Sequence, residues 1–182
     1  MAFLYAFVTV AFCLGVHAVI RWSDAHPDRP IWPPLRFGAG MRVATWAITV
    51  VAIGAAYFAG TGSWNAWGLP NWLRLWIGAP LAVAGSWFSS FAMMKLGLDN
   101  SMGARNGLVI DGLFAFSRNP TYLGNLALCL GWVLLAASTP ALVSASALAT
   151  LYIAAVPHEE RWLARVYGDA YRSYRNNVRR WF

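Results

Sequence analysis

The sequence predicts an all-α integral membrane protein with five transmembrane helices, the last two forming a hairpin, followed by a cytoplasmic amphipathic helix. Three observations support this fold class. The 182-residue chain is 59% hydrophobic and only 12% charged, whereas roughly a quarter of the residues in a soluble domain are charged. Its uncharged segments have lengths near the roughly 20 residues that cross a hydrocarbon core. Its basic residues are concentrated in alternate connecting segments.

The first three predicted spans carry no formal charge, and they are Met1–Ile20, Val43–Gly60 and Leu75–Met94. The first lacks a basic start and a small-residue cleavage site, so we expect it to remain as a helix. The uncharged stretch after Arg118 is too long for one span, because a single helix would reach about 59 Å. Ser138-Thr139-Pro140 interrupts it, which predicts a hairpin of two helices, Leu123–Ser138 and Ala141–Val156.

The basic residues predict the orientation. With five spans, the segments Arg21–Arg42, Lys95–Arg118 and Arg161–Arg180 lie on one side and hold every Lys and Arg except Arg74. The positive-inside rule places that side in the cytoplasm, so the N-terminus lies outside the cell (inner) membrane. A net charge of +7 suits an anionic cytoplasmic leaflet. Because the charges follow the topology, we expect membrane lipids as partners and no nucleic acid.

The C-terminal segment has the period of an amphipathic helix. Its apolar and aromatic residues recur at steps of three and four, and they are Trp162, Leu163, Val166, Tyr167, Ala170, Tyr171 and Tyr174. Arginines fall mostly on the other side. We interpret residues 1–182 as one membrane domain, in which 1–94 hold three spans and 95–182 form the ligand-binding half. The polar and glycine-rich segment 95–119 is suited to cap a cavity at the helix ends.

The stretch "SRNPTYLG" predicts a polar site where the fourth span begins. Asn119 is a favoured cap residue and Pro120 suits a first helical turn. The free N–H groups of that turn, together with Arg118 and Tyr122, would hold a carboxylate or phosphate. A capped span with an Arg and a Tyr anchored in the headgroups explains the same residues equally well.

A second polar site is predicted directly after the last span. Glu159 and Glu160 have no basic residue four positions later, since Leu163 and Ala164 stand there. We therefore expect two unpaired carboxylates at the membrane edge, which favour a cationic or amine-bearing ligand, although acidic residues also stabilise a first helical turn. Soluble-type nucleotide motifs are absent from the sequence, as are His and Cys residues at metal-ligand spacing, so we expect no metal.

Three motifs in the second half resemble the isoprenylcysteine carboxyl methyltransferase family and its relatives among phospholipid N-methyltransferases. The shared pattern is Arg-(His/Asn)-Pro-x-Tyr-x-Gly, a Glu-Glu pair, and Gly-x-x-Tyr-x-x-Tyr. In this chain the pattern comprises Arg118, Asn119, Pro120, Tyr122 and Gly124, then Glu159 and Glu160, then Gly168, Tyr171 and Tyr174. The resemblance covers about Lys95 to Phe182.

The resemblance implies an integral membrane enzyme that uses S-adenosylmethionine at the cytoplasmic side. It implies a lipophilic or amphiphilic methyl acceptor that enters from the lipid, and Glu159 and Glu160 as catalytic residues. The implied cofactor-binding residues are Asn106, Gly107, Leu108, Val109, Phe114, Arg118, Asn119, Pro120, Thr121 and Tyr122. Methyl transfer requires alignment of donor and acceptor in a dry site, and no enzyme nucleophile is needed.

One departure from the family pattern bears on the acceptor. The family has a substrate-facing Arg four residues before the first Glu, and Ala155 occupies that position here. A lipid amine or another small amphiphile is therefore favoured over a carboxylate acceptor. Two alternatives remain open from the sequence: an NADPH-dependent membrane reductase of the sterol-reductase type, and a non-catalytic membrane scaffold.

Overall fold

The structure, a computed structural model, describes residues 1–32 and 38–182. Arg36, one of the basic residues used above to predict the orientation, lies outside the described residues. Five long helices dominate, and they are α1 (Ala2–Ala25), α2 (Gly38–Thr61), α3 (Asn71–Leu96), α4 (Pro120–Ala136) and α5 (Thr139–Asn177). A helical turn, Leu98–Ser101, and a 3-10 turn, Gly112–Ala115, lie between α3 and α4. No strand occurs in the described ranges, which confirms the all-α prediction.

Four of the helices, α1, α2, α3 and α5, are long and apolar enough to cross a membrane. Helix α4 is equally apolar but has only 17 residues, which corresponds to about 26 Å at 1.5 Å per residue. The third helix begins earlier than the predicted Leu75, so that Arg74 lies inside it, within a π-helical segment from Arg74 to Gly78.

Glycines allow α3 and α4 to pack with their backbones almost in contact. A Cβ atom on Gly131 would lie 2.3 Å from the backbone nitrogen of Ala82, and one on Gly85 would lie 2.4 Å from that of Leu128. Backbone atoms cannot move aside as a flexible side chain can. Small residues therefore set the distance between these helices, as is common where helices associate in lipid.

Helices α4 and α5 form the predicted hairpin, and the turn between them is tighter than the sequence suggested. Helix α4 ends at Ala136, Ala137 has a positive φ of 47°, and α5 already begins at Thr139. Helix α5 then continues beyond the apolar stretch that ends at Val156. It changes direction at Gly168, whose φ of 54° and ψ of −124° suit a residue without a Cβ.

The predicted separate C-terminal helix is thus the continuation of the last apolar helix, broken at Gly168. Helix α5 packs against α1, α2 and α4, and α4 packs against α3. A buried apolar cluster joins α1, α2 and α5 and includes Cys13, Ile20, Ala56 and Leu151. Helices α2 and α3 share little packing. The space between them on one side of the bundle forms part of a cavity.

Candidate active site

A cavity of about 700 Å³ lies at the end of the bundle where α3 ends, α4 begins and the apolar part of α5 ends. Helices α2 to α5 and the α3–α4 connection all contribute to its wall. All but one of the sequence-predicted site residues line it: Gly107, Leu108, Val109, Phe114, Arg118, Asn119, Pro120, Thr121, Tyr122, Glu159 and Glu160. The structure therefore brings together residues that are more than 50 positions apart in sequence.

Asn106 is the predicted residue that does not line this cavity. It is exposed and lies in the wall of a small neighbouring depression that also includes Asn100. The backbone N–H of Asn106 donates a hydrogen bond to Asn100 Oδ1 at 3.2 Å. Because Asn100 lines both cavities, Asn106 shapes the edge of the main cavity through this contact.

The first turn of α4 has an open N-terminus. Asn119 occupies the cap position, as the sequence predicts, but its side chain makes no capping hydrogen bond. Its amide Nδ2 instead donates to the carbonyl oxygen of Arg180 at 3.0 Å. Thr121 is buried, and its Oγ1 has no hydrogen-bond partner among the described residues. The helix therefore presents uncapped donors and a positive dipole end to the cavity.

Glu160 is buried and fully engaged in ion pairs. Arg118 Nη1 lies 3.0 Å from its Oε1, and Arg180 donates to Oε1 and Oε2 at 3.0 and 2.7 Å. The hydrogen bonds to Glu160 raise the pKa of Arg180, and burial opposes that shift. The expectation of two unpaired carboxylates is wrong for Glu160, since its cations come from distant parts of the chain.

Glu159 has a different environment, although it is the adjacent residue. Its Oε1 accepts a hydrogen bond from the Tyr122 hydroxyl, and within residues 1–32 and 38–182 it forms no ion pair. It lies three positions beyond Val156, outside the apolar stretch of α5. Burial raises the pKa of its carboxyl to about 7, and the Tyr122 hydrogen bond counteracts part of this. The side chain stays partly accessible because it faces the cavity.

The neighbouring His158 does not join this site. It pairs with Asp24 at the end of α1, and Arg161 pairs with the same carboxylate. These contacts fasten α1 to α5 on the outside of the cavity. Of the four consecutive residues from His158 to Arg161, only Glu159 and Glu160 therefore line the cavity.

The tyrosines of the C-terminal motif form part of the cavity wall. Tyr171 and Tyr174 are buried and line the cavity. The Tyr174 hydroxyl donates to the carbonyl oxygen of Phe114 at 2.6 Å, which fastens the 3-10 turn to α5. Burial is the main cause that raises the pKa of Tyr174, to about 12, so it remains a neutral hydrogen-bond donor. Phe114 thereby has a fixed position in the wall.

Sequence reasoning missed the polar residues of the membrane-side half of the cavity. Ser89 Oγ donates to Asn125 Oδ1 at 2.6 Å between α3 and α4, and Thr45 and Thr49 of α2 lie in the same wall. Asn125 carried a usable signal, because an amide within an apolar helix is costly unless it is partnered. These groups are all neutral, so the membrane-side half offers hydrogen bonds without charge.

The family model for phospholipid methyltransferases matches residues 73–170, which is more than half of the chain. The match begins in α3 and ends in the C-terminal part of α5, so it includes α4 and both glutamates. No curated protein and no solved structure matches the chain.

Proposed function

Because this chain belongs to the phospholipid methyltransferase family, we propose that it is an integral membrane methyltransferase that depends on S-adenosylmethionine. In this proposal it resembles isoprenylcysteine carboxyl methyltransferases in architecture and methylates a lipophilic or amphiphilic acceptor. One observation carries the proposal. A single cavity combines a cationic helix start, at Arg118 and the first turn of α4, with a carboxylate, Glu159, that pairs with no cation in the part of the chain that the structure describes.

The residues present fit the cofactor. A methionine-type carboxylate suits the uncapped turn at Pro120–Tyr122, where Thr121 Oγ1 is buried without a partner, because helix N-termini bind anions. Sulfonium and ammonium groups suit Glu159. We assign the remaining contacts to the segment Asn106–Val109 and to Phe114. A volume of about 700 Å³ is within the roughly 300–1,000 Å³ typical of small-molecule sites.

When bound, the cofactor supplies an electrophilic methyl group. The contribution of the protein is positioning, exclusion of water and proton management. Tyr122 holds Glu159 Oε1, which fixes the carboxylate at the cavity wall. In its ionised form Glu159 attracts the cationic end of the cofactor, and it is also placed to take the proton that an amine acceptor releases. Glu160 acts by holding Arg118, so we propose a positioning role for it.

We propose a lipid amine as the acceptor. The membrane-side half of the cavity contains the neutral hydroxyls of Thr45, Thr49 and Ser89. Each of them donates its hydrogen bond within the protein, which leaves the oxygens as acceptors for an amine. Ala155, at the position of the family's substrate-facing Arg, is buried and packs in the apolar cluster, so it provides no cation for a carboxylate. Entry from the lipid between α2 and α3 follows from their sparse packing.

The proposed topology places this cavity at the cytoplasmic face of the cell membrane. Helix α4 serves as the fourth of the five spans, with its open end beside the predicted basic segments. The N-terminus is then outside, and the amphipathic end of α5 lies along the inner leaflet with its arginines in the headgroups. Residues 1–94 and 95–182 act as one membrane domain in this proposal, with the second half binding the cofactor.

The test is a binding and labelling experiment on the full chain in lipid nanodiscs. Calorimetry with S-adenosylmethionine should give saturable binding, and NADPH should give none. Incubation with methyl-labelled S-adenosylmethionine and a total lipid extract should transfer label to an amine-bearing lipid, identified by mass spectrometry. Binding of NADPH alone would favour a reductase, and absence of binding by either cofactor would favour a scaffold. Each of these results would overturn the proposal.

A further inference from the structure

The segment that follows α5 packs against residues that line the cavity. After α5 ends at Asn177, the segment 178–182, here called the tail, runs beside the turn that precedes α4. The carbonyl oxygen of Arg179 accepts a hydrogen bond from Arg118 N–H at 3.0 Å. That of Arg180 accepts from Ser117 Oγ at 3.3 Å and from Asn119 Nδ2 at 3.0 Å. The tail backbone thus fixes three consecutive residues at the start of α4.

The side chain of Arg180 reaches across to α5. Its Nε and Nη2 donate to the two oxygens of Glu160, in the paired geometry that makes Arg–carboxylate contacts strong and directional. The same carboxylate holds Arg118. Arg180 therefore contacts both walls of the cavity's polar end, through its backbone on the α4 side and through its guanidinium on the α5 side.

This arrangement has an electrostatic consequence. A pair of Arg118 and Glu160 alone would be neutral, and Glu160 would cancel the charge nearest to the first turn of α4. With Arg180 bound to the same carboxylate, the cluster keeps one positive charge beside the uncapped helix start. The side chains of Arg118 and Glu160 are 11% and 9% exposed, so solvent screens their charges little. The Arg180 side chain is 45% exposed, so its charge acts on the helix start mainly through the direct contact with Glu160. The tail thereby keeps the helix start attractive to an anion.

We propose that Arg180 is a positioning residue for cofactor binding, which acts through Glu160 and Arg118 on the carboxylate of the cofactor. This inference rests on the proposed function and adds the tail to the site. The match to the family model ends at residue 170, so it does not include the tail. The Arg180 side chain is then part of the active site, and its loss alters cofactor affinity rather than acceptor recognition.

The experiment compares Arg180→Ala, Arg180→Lys and the matched control Arg179→Ala in the full chain in nanodiscs. Arg179 is exposed, and its backbone carbonyl is retained in the control. The ligands are S-adenosylmethionine and 5′-methylthioadenosine, which lacks the amino-acid carboxylate. We expect Arg180→Ala to weaken S-adenosylmethionine binding by about tenfold, the size of one lost charged hydrogen bond, and to leave 5′-methylthioadenosine binding within twofold.

Arg180→Lys should recover part of the affinity, and Arg179→Ala should match wild type. In turnover assays, Arg180→Ala should raise the KM for the cofactor with kcat at saturation within about threefold. Unchanged S-adenosylmethionine affinity, or equal losses for both ligands, would overturn the inference. If Arg180→Ala does not fold, the ratio of the two affinities in Arg180→Lys decides the question. Failure of the wild type to bind S-adenosylmethionine would reject the proposed function instead.

Discussion

An arginine lies beside each end of α4, Arg74 buried and Arg118 partly buried, and the two have different roles. At the C-terminal end, Arg74 donates through Nε to the carbonyl oxygen of Leu135 at 3.0 Å and lies over the Trp64 ring. At the N-terminal end, Arg118 pairs with Glu160 and lines the cavity. Arg74 donates to a carbonyl group at the C-terminus of α4, where the helix dipole favours a cation. Arg118 lies against the positive end of the dipole, where a cation is disfavoured.

The difference shows how a structural cation is distinguished from a functional one. A cation at a helix C-terminus needs no further explanation, because carbonyl groups and the dipole stabilise it. A cation at a helix N-terminus needs an anion nearby. Glu160 provides one, but Arg180 shares that carboxylate, so the N-terminal end of α4 still carries excess positive charge. An anionic ligand would balance this charge, and the cavity at this end of α4 has room for one.

The largest expected effect is at the cavity end. Replacing Glu159 by Gln keeps the shape and the Tyr122 contact but removes the charge, so we expect methyl transfer to fall by about 10²-fold or more. Labelled-methyl incorporation into lipid measures this. The control is Asp169→Asn, which also removes a carboxylate, at a side chain that is 96% exposed. If Glu159→Gln turned over at the wild-type rate, the proposed functional difference between the two ends of α4 would be rejected.

A moderate effect on activity is expected when a change of pH alters the protonation of Glu159. Burial raises the pKa of Glu159 to about 7, above the ordinary value, so the carboxyl is mostly protonated at pH 6 and mostly ionised at pH 8. The ionised form is the active one in our mechanism, so kcat/KM should rise by roughly tenfold between pH 6 and 8. The Glu159→Gln variant should lack this rise of kcat/KM with pH. A flat wild-type profile would count against the assigned role.

The smallest effect on activity is expected at the opposite end. Arg74→Gln removes the cation beside the C-terminus of α4, which should lower the free energy of unfolding by about 1–2 kcal/mol. In thermal melts this corresponds to a Tm lower by roughly 2–8 °C. Turnover per folded molecule should stay within twofold of wild type. Arg21→Gln, at an exposed side chain, is the matched control and should leave Tm unchanged.

Many features of the site were visible in the sequence because they are local. The start of α4 at Pro120 follows from Asn119 and Pro120 themselves, and the Glu-Glu pair is notable where it follows an apolar stretch. The partners were not visible. Asn119 was predicted to cap α4, yet its amide bonds the Arg180 carbonyl, and no local rule links residues that far apart. The polar contact of Ser89 with Asn125 likewise depends on how closely two glycine-bearing helices approach.

By itself, the sequence determined that this is a helical membrane protein with its polar chemistry at one end of the hairpin. Apolar length, charge distribution and helix start signals are properties of short segments, and they need no partner to be interpreted. Only the tertiary structure decided which of the two glutamates pairs with arginines and which has no cation beside it among the described residues. Adjacent residues on an α-helix point about 100° apart, so Glu159 meets Tyr122 and Glu160 meets two arginines. Which neighbours stand in those directions depends on how α4 and the tail pack against α5.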